Sequence, residues 1–269
     1  MTISIIGCGW LGFPLAKHLT TKGHTIKGST TRTEKLKDLE TSNIQPFLIK
    51  AVPKLLGEHQ DVFFDTDLLF INIPPRRKNP NIEITYPQAI QELANKIIAH
   101  QIPKVIFVSS TSVYENTNTT ISERTTPNPL TASGKAVYQA EQILQNIPNI
   151  ELTILRMAGL VGGERKAGRF LAGRKNVANG DAPVNLVRRE DCMSIIDKII
   201  KQEKFEGIYN VCANQHPTRA VFYQQQAQKQ GFEPPQFSEN ATTSYKIVDN
   251  QKIKTALDYE FLHPDPMLF

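Results

Sequence analysis

The sequence predicts an α/β chain built on a doubly wound parallel sheet, with a smaller C-terminal substrate lobe. Three observations carry that expectation. An apolar strand pattern at Ile3–Ile6 runs straight into Gly7-Cys8-Gly9-Trp10-Leu11-Gly12, and a helical pattern follows at Leu11, Leu15 and Leu19. Two further apolar runs, Asp67 to Ile73 and Val105 to Ser110, read as strands buried on both faces, as parallel sheets require. Over the first ~155 residues, strand patterns alternate with helical ones, which is the signature of βαβ winding.

The opening stretch is the strand, G-x-G-x-x-G turn and helix of a dinucleotide-binding unit, so the fold is expected to be Rossmann-like. Gly7 permits the tight turn, Gly9 lets the backbone approach a pyrophosphate, and Gly12 lets the helix pack close to the sheet. Trp10 and Leu11 complete the turn, and the helix N-terminus offers N–H groups and a positive dipole end to phosphate.

The next elements follow in order. Residues 24–29 read as a second strand, Glu34 to Glu40 as a short helix and Pro46 to Lys50 as a third strand. Pro74-Pro75 stops the strand that begins at Asp67. Gln88 to His100 has helical spacing at Ile90, Leu93, Ala94, Ile97 and Ile98. After the strand ending at Ser110, a polar loop leads to a helix over Thr131 to Gln145, then a strand over Leu152 to Arg156. Gly159 to Gly180 is glycine- and base-rich and reads as an irregular excursion. Glu190 to Lys201 reads as a helix, Gly207 to Val211 as a last strand and Thr218 to Gln230 as another helix. The expected division is a dinucleotide-binding domain over 1–160 and a smaller lobe over 161–269, with 186–213 returning to the sheet.

Bulk properties exclude several classes. The net charge of +5 is mild and dispersed, with no basic stripe interleaved with aromatics, so nucleic acid is not an expected partner. The densest basic run, Arg76-Arg77-Lys78, reads as a solvated loop, with a phosphate contact as the alternative. The three cysteines, Cys8, Cys192 and Cys212, lack metal or disulfide spacing. No apolar run reaches the ~18 residues of a membrane span, and no secretory signal is expected ahead of a strand at Thr2 or Ile3, so the expectation is a cytoplasmic protein with no membrane partner.

In an open α/β sheet the ligand lies beyond the carboxyl ends of the strands. The candidates are therefore Gly7 to Gly12, Thr30 to Arg32, Ile73 and Pro74 with the residues up to Arg77, Ser109 to Tyr114, and Arg156 to Gly163. The end of the second strand bears on cofactor choice. NAD sites usually place an acid there to bind the ribose hydroxyls. This chain has Ser29-Thr30-Thr31-Arg32 and no acid until Glu34. Hydroxyls and a guanidinium suit a 2′-phosphate, so NADP is expected, with NAD the alternative.

Several motifs together make the resemblance specific. They are the glycine turn, Val108-Ser109-Ser110-Thr111-Ser112-Val113-Tyr114, residues 155–162 (Leu-Arg-Met-Ala-Gly-Leu-Val-Gly), residues 185–191 (Asn-Leu-Val-Arg-Arg-Glu-Asp) and Tyr209-Asn210-Val211. Across nearly its whole length the chain resembles extended or atypical short-chain dehydrogenases/reductases, the NAD-dependent epimerase/dehydratase superfamily. Asn72-Ile73-Pro74-Pro75 is similar to an atypical bacterial branch of it. The resemblance implies an NAD(P)-dependent oxidoreductase or epimerase-like enzyme on a small, sugar-nucleotide-like substrate. It also implies a homodimer formed through helices that here include Gln88 to His100 and Thr131 to Gln145.

That family uses a Ser or Thr on the substrate oxygen, a Tyr as acid/base and a Lys on the nicotinamide ribose, the last two spaced Y-x-x-x-K. By motif position Thr111 takes the first place and Lys135 the last, with Ser109 beside the cofactor. The Tyr place falls on Thr131, and an aliphatic hydroxyl titrates too high to replace a phenol. Tyr138 lies seven residues beyond Thr131, ~10 Å along a helix, which is too far. Tyr114, near a strand end, is the better substitute, and Glu123 and Glu141 are expected on the surface. None of the six histidines has metal or triad spacing. Two functions stay open: an enzyme using Thr111, Lys135 and either Tyr114 or a water, and a non-catalytic NAD(P) sensor or partner-binding protein.

Overall fold

The computed structural model describes residues 1–51, 53–76, 78–239 and 244–269. They form two compact units interleaved along the chain. The first comprises Met1–Val113, Pro129–Leu155 and Glu203–Ile208; the second comprises Tyr114–Asn128, Arg156–Gln202 and Tyr209–Phe269.

The first unit carries the expected winding. Its elements are β1 (Thr2–Ile6), α1 (Gly12–Thr21), β2 (Thr25–Thr30), α2 (Leu36–Glu40), β3 (Gln45–Leu48), α3 (Gln60–Phe64), β4 (Leu68–Ile71), α4 (Ile82–Ala99), β5 (Lys104–Ser110) and α5 (Ala132–Gln145). Two more strands, β6 (Glu151–Met157) and β7 (Gly207–Val211), start in this unit and run on into the second. The sheet order is β7-β6-β5-β4-β1-β2-β3. The pairs β1–β2, β1–β4, β2–β3 and β4–β5 are parallel. The chain winds outward from β1 to β3, then crosses back to β4 and winds the other way. The order therefore reverses between β1 and β4, where a crevice opens at the carboxyl ends of the strands. The register Ile6↔Ile71 sets Gly7 and Asn72 side by side at that point.

The apolar runs explain the strands. Ile3, Ile5, Leu68, Leu69, Val105, Ile106 and Phe107 are fully buried, because helices cover both faces of the sheet. Burying each such side chain contributes roughly 1.5–3 kcal/mol. One helix departs from expectation. α4 starts at Ile82, six residues before Gln88, and carries Pro87 inside it. Proline normally ends such a reading, since it lacks an N–H and crowds the preceding turn. Here burial of Ile82 and Tyr86 holds the first turn, and Asn79 Nδ2 donates to Thr85 Oγ1 at 2.8 Å.

The second unit is built of α6 (Arg189–Gln202), α7 (Arg219–Lys229) and α8 (Gln251–Leu257), with short parallel pairs at Gly159–Val161/Leu186–Arg188 and Thr120–Ile121/Ile247–Val248. The glycine-rich excursion contains that first short strand and a 3-10 turn at Ala167–Arg169. Its apolar centre is Val161, Ala167, Val184, Leu186 and Phe222, with Tyr223, Met267 and Phe269 against it. Asp191, fully buried at the start of α6, ties in the tail. Its carboxylate accepts from Tyr259 Oη at 2.8 Å, Leu262 N at 2.6 Å and His263 N at 3.1 Å. α8 was not legible in the mixed composition of the tail. Among the described residues no helix is long and apolar enough to cross a membrane.

Candidate functional site

The glycine turn lies at the switch point of the first unit. Gly7 has φ +103°, and a Cβ on it would lie 2.4 Å from the Asn72 carbonyl oxygen. A Cβ on Gly12 would lie 2.3 Å from the Gly7 carbonyl oxygen. Beside Gly9, by contrast, nothing lies within 4 Å of such a Cβ. Two of the glycines are thus held by packing, and the middle one borders open space. α1 begins at once, with Leu11 as N-cap, no side-chain cap and no acid in its first turn. The first N–H groups of a helix have no acceptor within it, and their dipole end favours an anion. Leu11 has its side chain in the core and offers only its backbone, whereas Trp10 is half-buried.

The end of β2 separates four residues that look alike in sequence. Ser29 is buried, and its Oγ accepts from the Gly7 N–H at 3.0 Å while its carbonyl accepts from Cys8 N at 2.8 Å. That hydroxyl serves the turn and leaves the phosphate-binding set. Thr30 is half-buried and its Oγ1 accepts from Arg32 N at 3.2 Å; Thr31 and Arg32 are exposed. Arg32 is extended and leads into a 3-10 turn at Thr33–Lys35. Cys8 packs over Gly28, where a Cβ would lie 2.9 Å from its Sγ. Burial pushes its thiol up to about 12, so it stays protonated and unreactive.

After β4, Asn72 donates from Nδ2 to the Gly7 carbonyl at 3.0 Å. The Ile73 carbonyl accepts from the buried Tyr86 hydroxyl at 2.9 Å, and Pro74 is exposed. Arg76 and Lys78 are exposed, and Arg77 lies outside the described residues.

The end of β5 corrects two expectations. Ser109 is buried, and its hydroxyl donates to the carboxylate of Glu141, which is also fully buried. Glu141 is therefore no surface group, and the Ser109 hydroxyl is turned inward. Its helical neighbours on the same face, Val137 and Leu144, are buried too, and this i−4, i+3 spacing was the missed signal. Thr111 is nearly buried and opens a 3-10 turn over Thr111–Val113. That turn presses on the start of α5, because a Cβ on Gly134 would lie 2.5 Å from the Ser112 carbonyl oxygen. Thr111 and Lys135 thus sit on touching elements, with Lys135 exposed. Thr131, in the place of the family's Tyr, is the N-cap of α5. Its Oγ1 accepts from Gly134 N at 3.1 Å, and its carbonyl accepts from Lys135 N at 2.9 Å. It stands before the helix, exposed, as a cap.

Tyr114 belongs to the second unit and is 2 % exposed. Its hydroxyl donates to Asn210 Oδ1 at 3.0 Å and accepts from Arg156 Nη1 at 2.7 Å. Burial, partly offset by Arg156, raises its pKa. Both hydrogen-bonding roles of the Tyr114 hydroxyl are filled inside the unit, where it was expected to face a substrate. Glu123 is also internal to this unit, accepting from Asn210 N at 2.7 Å. These contacts join residues up to 96 apart in the chain, which no local pattern reveals. Among the described residues, no group of three His, Cys, Asp or Glu is placed to hold a metal ion.

A glycine turn at the switch point, an uncapped helix end above it and a parallel sheet wound to either side define a dinucleotide-binding protein of the Rossmann class. A family model described as NAD(P)H-binding matches residues 7–202. Protein YeeZ of Escherichia coli strain K12 is 41% identical over 269 residues, covering 99% of this chain and 97% of its own length. The chain belongs to this NAD(P)H-binding family. Among solved structures, a conserved protein of unknown function from Silicibacter pomeroyi is 22% identical with a TM-score of 0.81, over 99% of this chain and 95% of that one. UDP-glucuronic acid 4-epimerase from Bacillus cereus, in complex with NAD, is 17% identical with a TM-score of 0.80, over 97% and 94%. These likenesses show a shared Rossmann-like α/β fold.

Proposed function

We propose that the protein is an NADP-dependent oxidoreductase or epimerase-like enzyme acting on a small, sugar-nucleotide-like substrate, with NAD as the alternative cofactor. The observation that carries the reading is the uncapped, acid-free first turn of α1 beside the open space at Gly9. The donor set fits a dinucleotide. The α1 end would take the pyrophosphate, and Arg32 would grip a 2′-phosphate at a strand end with no adjacent acid. When bound, the cofactor supplies a hydride donor or acceptor. Lys135 would hold the nicotinamide ribose and Thr111 the substrate oxygen. Neither Thr131 nor Tyr114 is placed to move a proton, so a water at the substrate oxygen takes that part. Support for the substrate class is a likeness of fold alone, to MoeE5 in complex with UDP-glucose and NAD, which is 14% identical with a TM-score of 0.77. The proposal extends to a homodimer formed through α4 and α5. α4 bears the exposed apolar side chains Ile84 and Ile98, and α4 and α5 pack on each other.

The second reading, a cofactor-occupancy sensor without catalysis, is favoured by the capping role of Thr131 and the buried hydroxyl of Tyr114. Fluorescence titration with NADPH and NADH tests the cofactor. Binding tighter than about 1 mM is expected for at least one of them, and its absence for both sinks both readings. Oxidation of bound NADPH against a carbonyl panel then separates enzyme from sensor.

A further inference from the structure

Gly7 is held from both sides. Its N–H donates to Ser29 Oγ from β2 at 3.0 Å, and its carbonyl accepts from Asn72 Nδ2 at the end of β4, also at 3.0 Å. β2 and β4 are the two strands that flank β1. Each anchor is itself fixed by backbone bonds. Cys8 N donates to the Ser29 carbonyl at 2.8 Å, and Asn72 N donates to the Ile6 carbonyl at 2.9 Å. The Asn72 amide also packs against Gly12, whose Cβ would lie 3.1 Å from Nδ2.

Glycine has more backbone freedom to lose than any other residue, and this turn holds three in six positions. If the ligand had to order it, that entropy would be subtracted from the binding free energy. We infer that Ser29 and Asn72 form a two-sided clamp on the Gly7 peptide groups that builds the phosphate-binding turn before any cofactor arrives. They are positioning residues for cofactor affinity. Their side chains are bonded to the turn itself, Ser29 Oγ to the Gly7 N–H and Asn72 Nδ2 to the Gly7 carbonyl. The clamp therefore serves the pyrophosphate, the part that NADPH and NADH share. This inference rests on the reading that the turn holds a dinucleotide.

Two residues close together in the sequence, Ser29 at the end of β2 and Arg32 just beyond it, take different parts. Ser29 sets affinity for both cofactors, and Arg32, three residues on, sets the choice between them. The Asn72 side chain must donate, so an aspartate of the same shape does not replace it. A carboxylate there would also put negative charge beside the anion site.

The test measures Kd for NADPH and NADH in the wild-type protein and in Asn72→Ala, Asn72→Asp, Ser29→Ala and Arg32→Ala, with a thermal melt of each. Asn72→Ala and Ser29→Ala should each weaken both cofactors by about tenfold and in the same ratio, the loss of about one hydrogen bond. Asn72→Asp should weaken both further. Arg32→Ala should split the two cofactors. A melting temperature that falls while both Kd values stay within about twofold of wild type would overturn the clamp and leave only a packing role. Losses that differ between NADPH and NADH in the Asn72 or Ser29 variants would also overturn it. A wild-type protein that binds neither cofactor overturns the dinucleotide reading, and the clamp falls with it. If Asn72→Asp fails to fold, the two alanine variants still decide.

Discussion

Two helix starts in the same unit, at α1 and at α5, have opposite designs. α1 follows a glycine turn and has no side-chain cap and no first-turn acid. α5 follows a polar loop and is capped by its own Thr131, whose Oγ1 takes the Gly134 N–H. Helix ends carry unsatisfied donors, and these find partners either within the chain or in a ligand. In the first helix Phe13 N donates to the Gly9 carbonyl at 3.0 Å and Pro14 carries no N–H, so the donors offered to a ligand are the Leu11 and Gly12 N–H groups. The second helix closes one of its own donors with the Thr131 hydroxyl. The lesson is that two helix starts on one fold can differ in what they offer a ligand, because each depends on the local chemistry of its own first turn.

The comparison can be broken most sharply in the glycine turn. Gly12→Ala must displace the Gly7 carbonyl, so it should destabilise the protein by about 1–3 kcal/mol and abolish measurable cofactor binding. Gly9→Ala meets no neighbour and should change stability by less than about 0.5 kcal/mol, yet still weaken the cofactor. Denaturant melts alongside titrations read both. Cofactor binding unchanged in Gly9→Ala would mean that the pyrophosphate does not lie there.

Arg32→Ala comes next. It should weaken NADPH by about tenfold or more and leave NADH as it was, the loss expected of a charge-assisted bond. Equal losses for the two cofactors would remove the 2′-phosphate from the argument. At the second helix start, Thr131→Ala should lower stability by about 1 kcal/mol with cofactor affinity unchanged, and Thr131→Ser should restore it. A changed Kd there would show that the two helix starts are not separate.

The smallest effect concerns alkaline pH. Burial raises the thiol pKa of Cys8, Cys192 and Cys212 above the ordinary value of 9.0, with Cys8 and Cys212 pushed up to about 12. Folding then keeps protons that the unfolded chain releases. The thiols' contribution to stability is constant below about pH 9 and falls as pH rises above it. Urea melts between pH 7 and 10.5 should show the decline, and Cys8→Ala should make it shallower. A slope identical to wild type would mean that Cys8 titrates in the folded protein as it does in the unfolded chain.

Most of the first unit could be read from the sequence. Strands β4 and β5 announce themselves as apolar runs and β1 as an apolar pattern interrupted at Ser4, and the glycine spacing identifies the turn because it reports a backbone requirement within six residues. The start of α4 could not be read, since packing of Ile82 and Tyr86 outweighs the proline penalty at Pro87. α8 was equally hidden, since only burial of Ile253 and Leu257 distinguishes it from the surrounding loop. Of the candidate site, the position of each residue at a strand end was legible, but the direction of its side chain was not. Ser109 and Tyr114 looked like ligand or catalytic groups and are internal, and Glu141 looked superficial and is buried.

The sequence by itself determined the parallel α/β winding and the glycine turn at its head. Each depends on properties carried by a residue or its immediate neighbours: hydrophobic run length and backbone freedom. Tertiary structure alone decided which polar groups remain available to a ligand. Ser29 and Asn72 are turned to Gly7, Ser109 to Glu141, and Tyr114 to Arg156 and Asn210. These partners come from elements distant in the chain, and a hydroxyl's role is set by the donor or acceptor that packing brings to it.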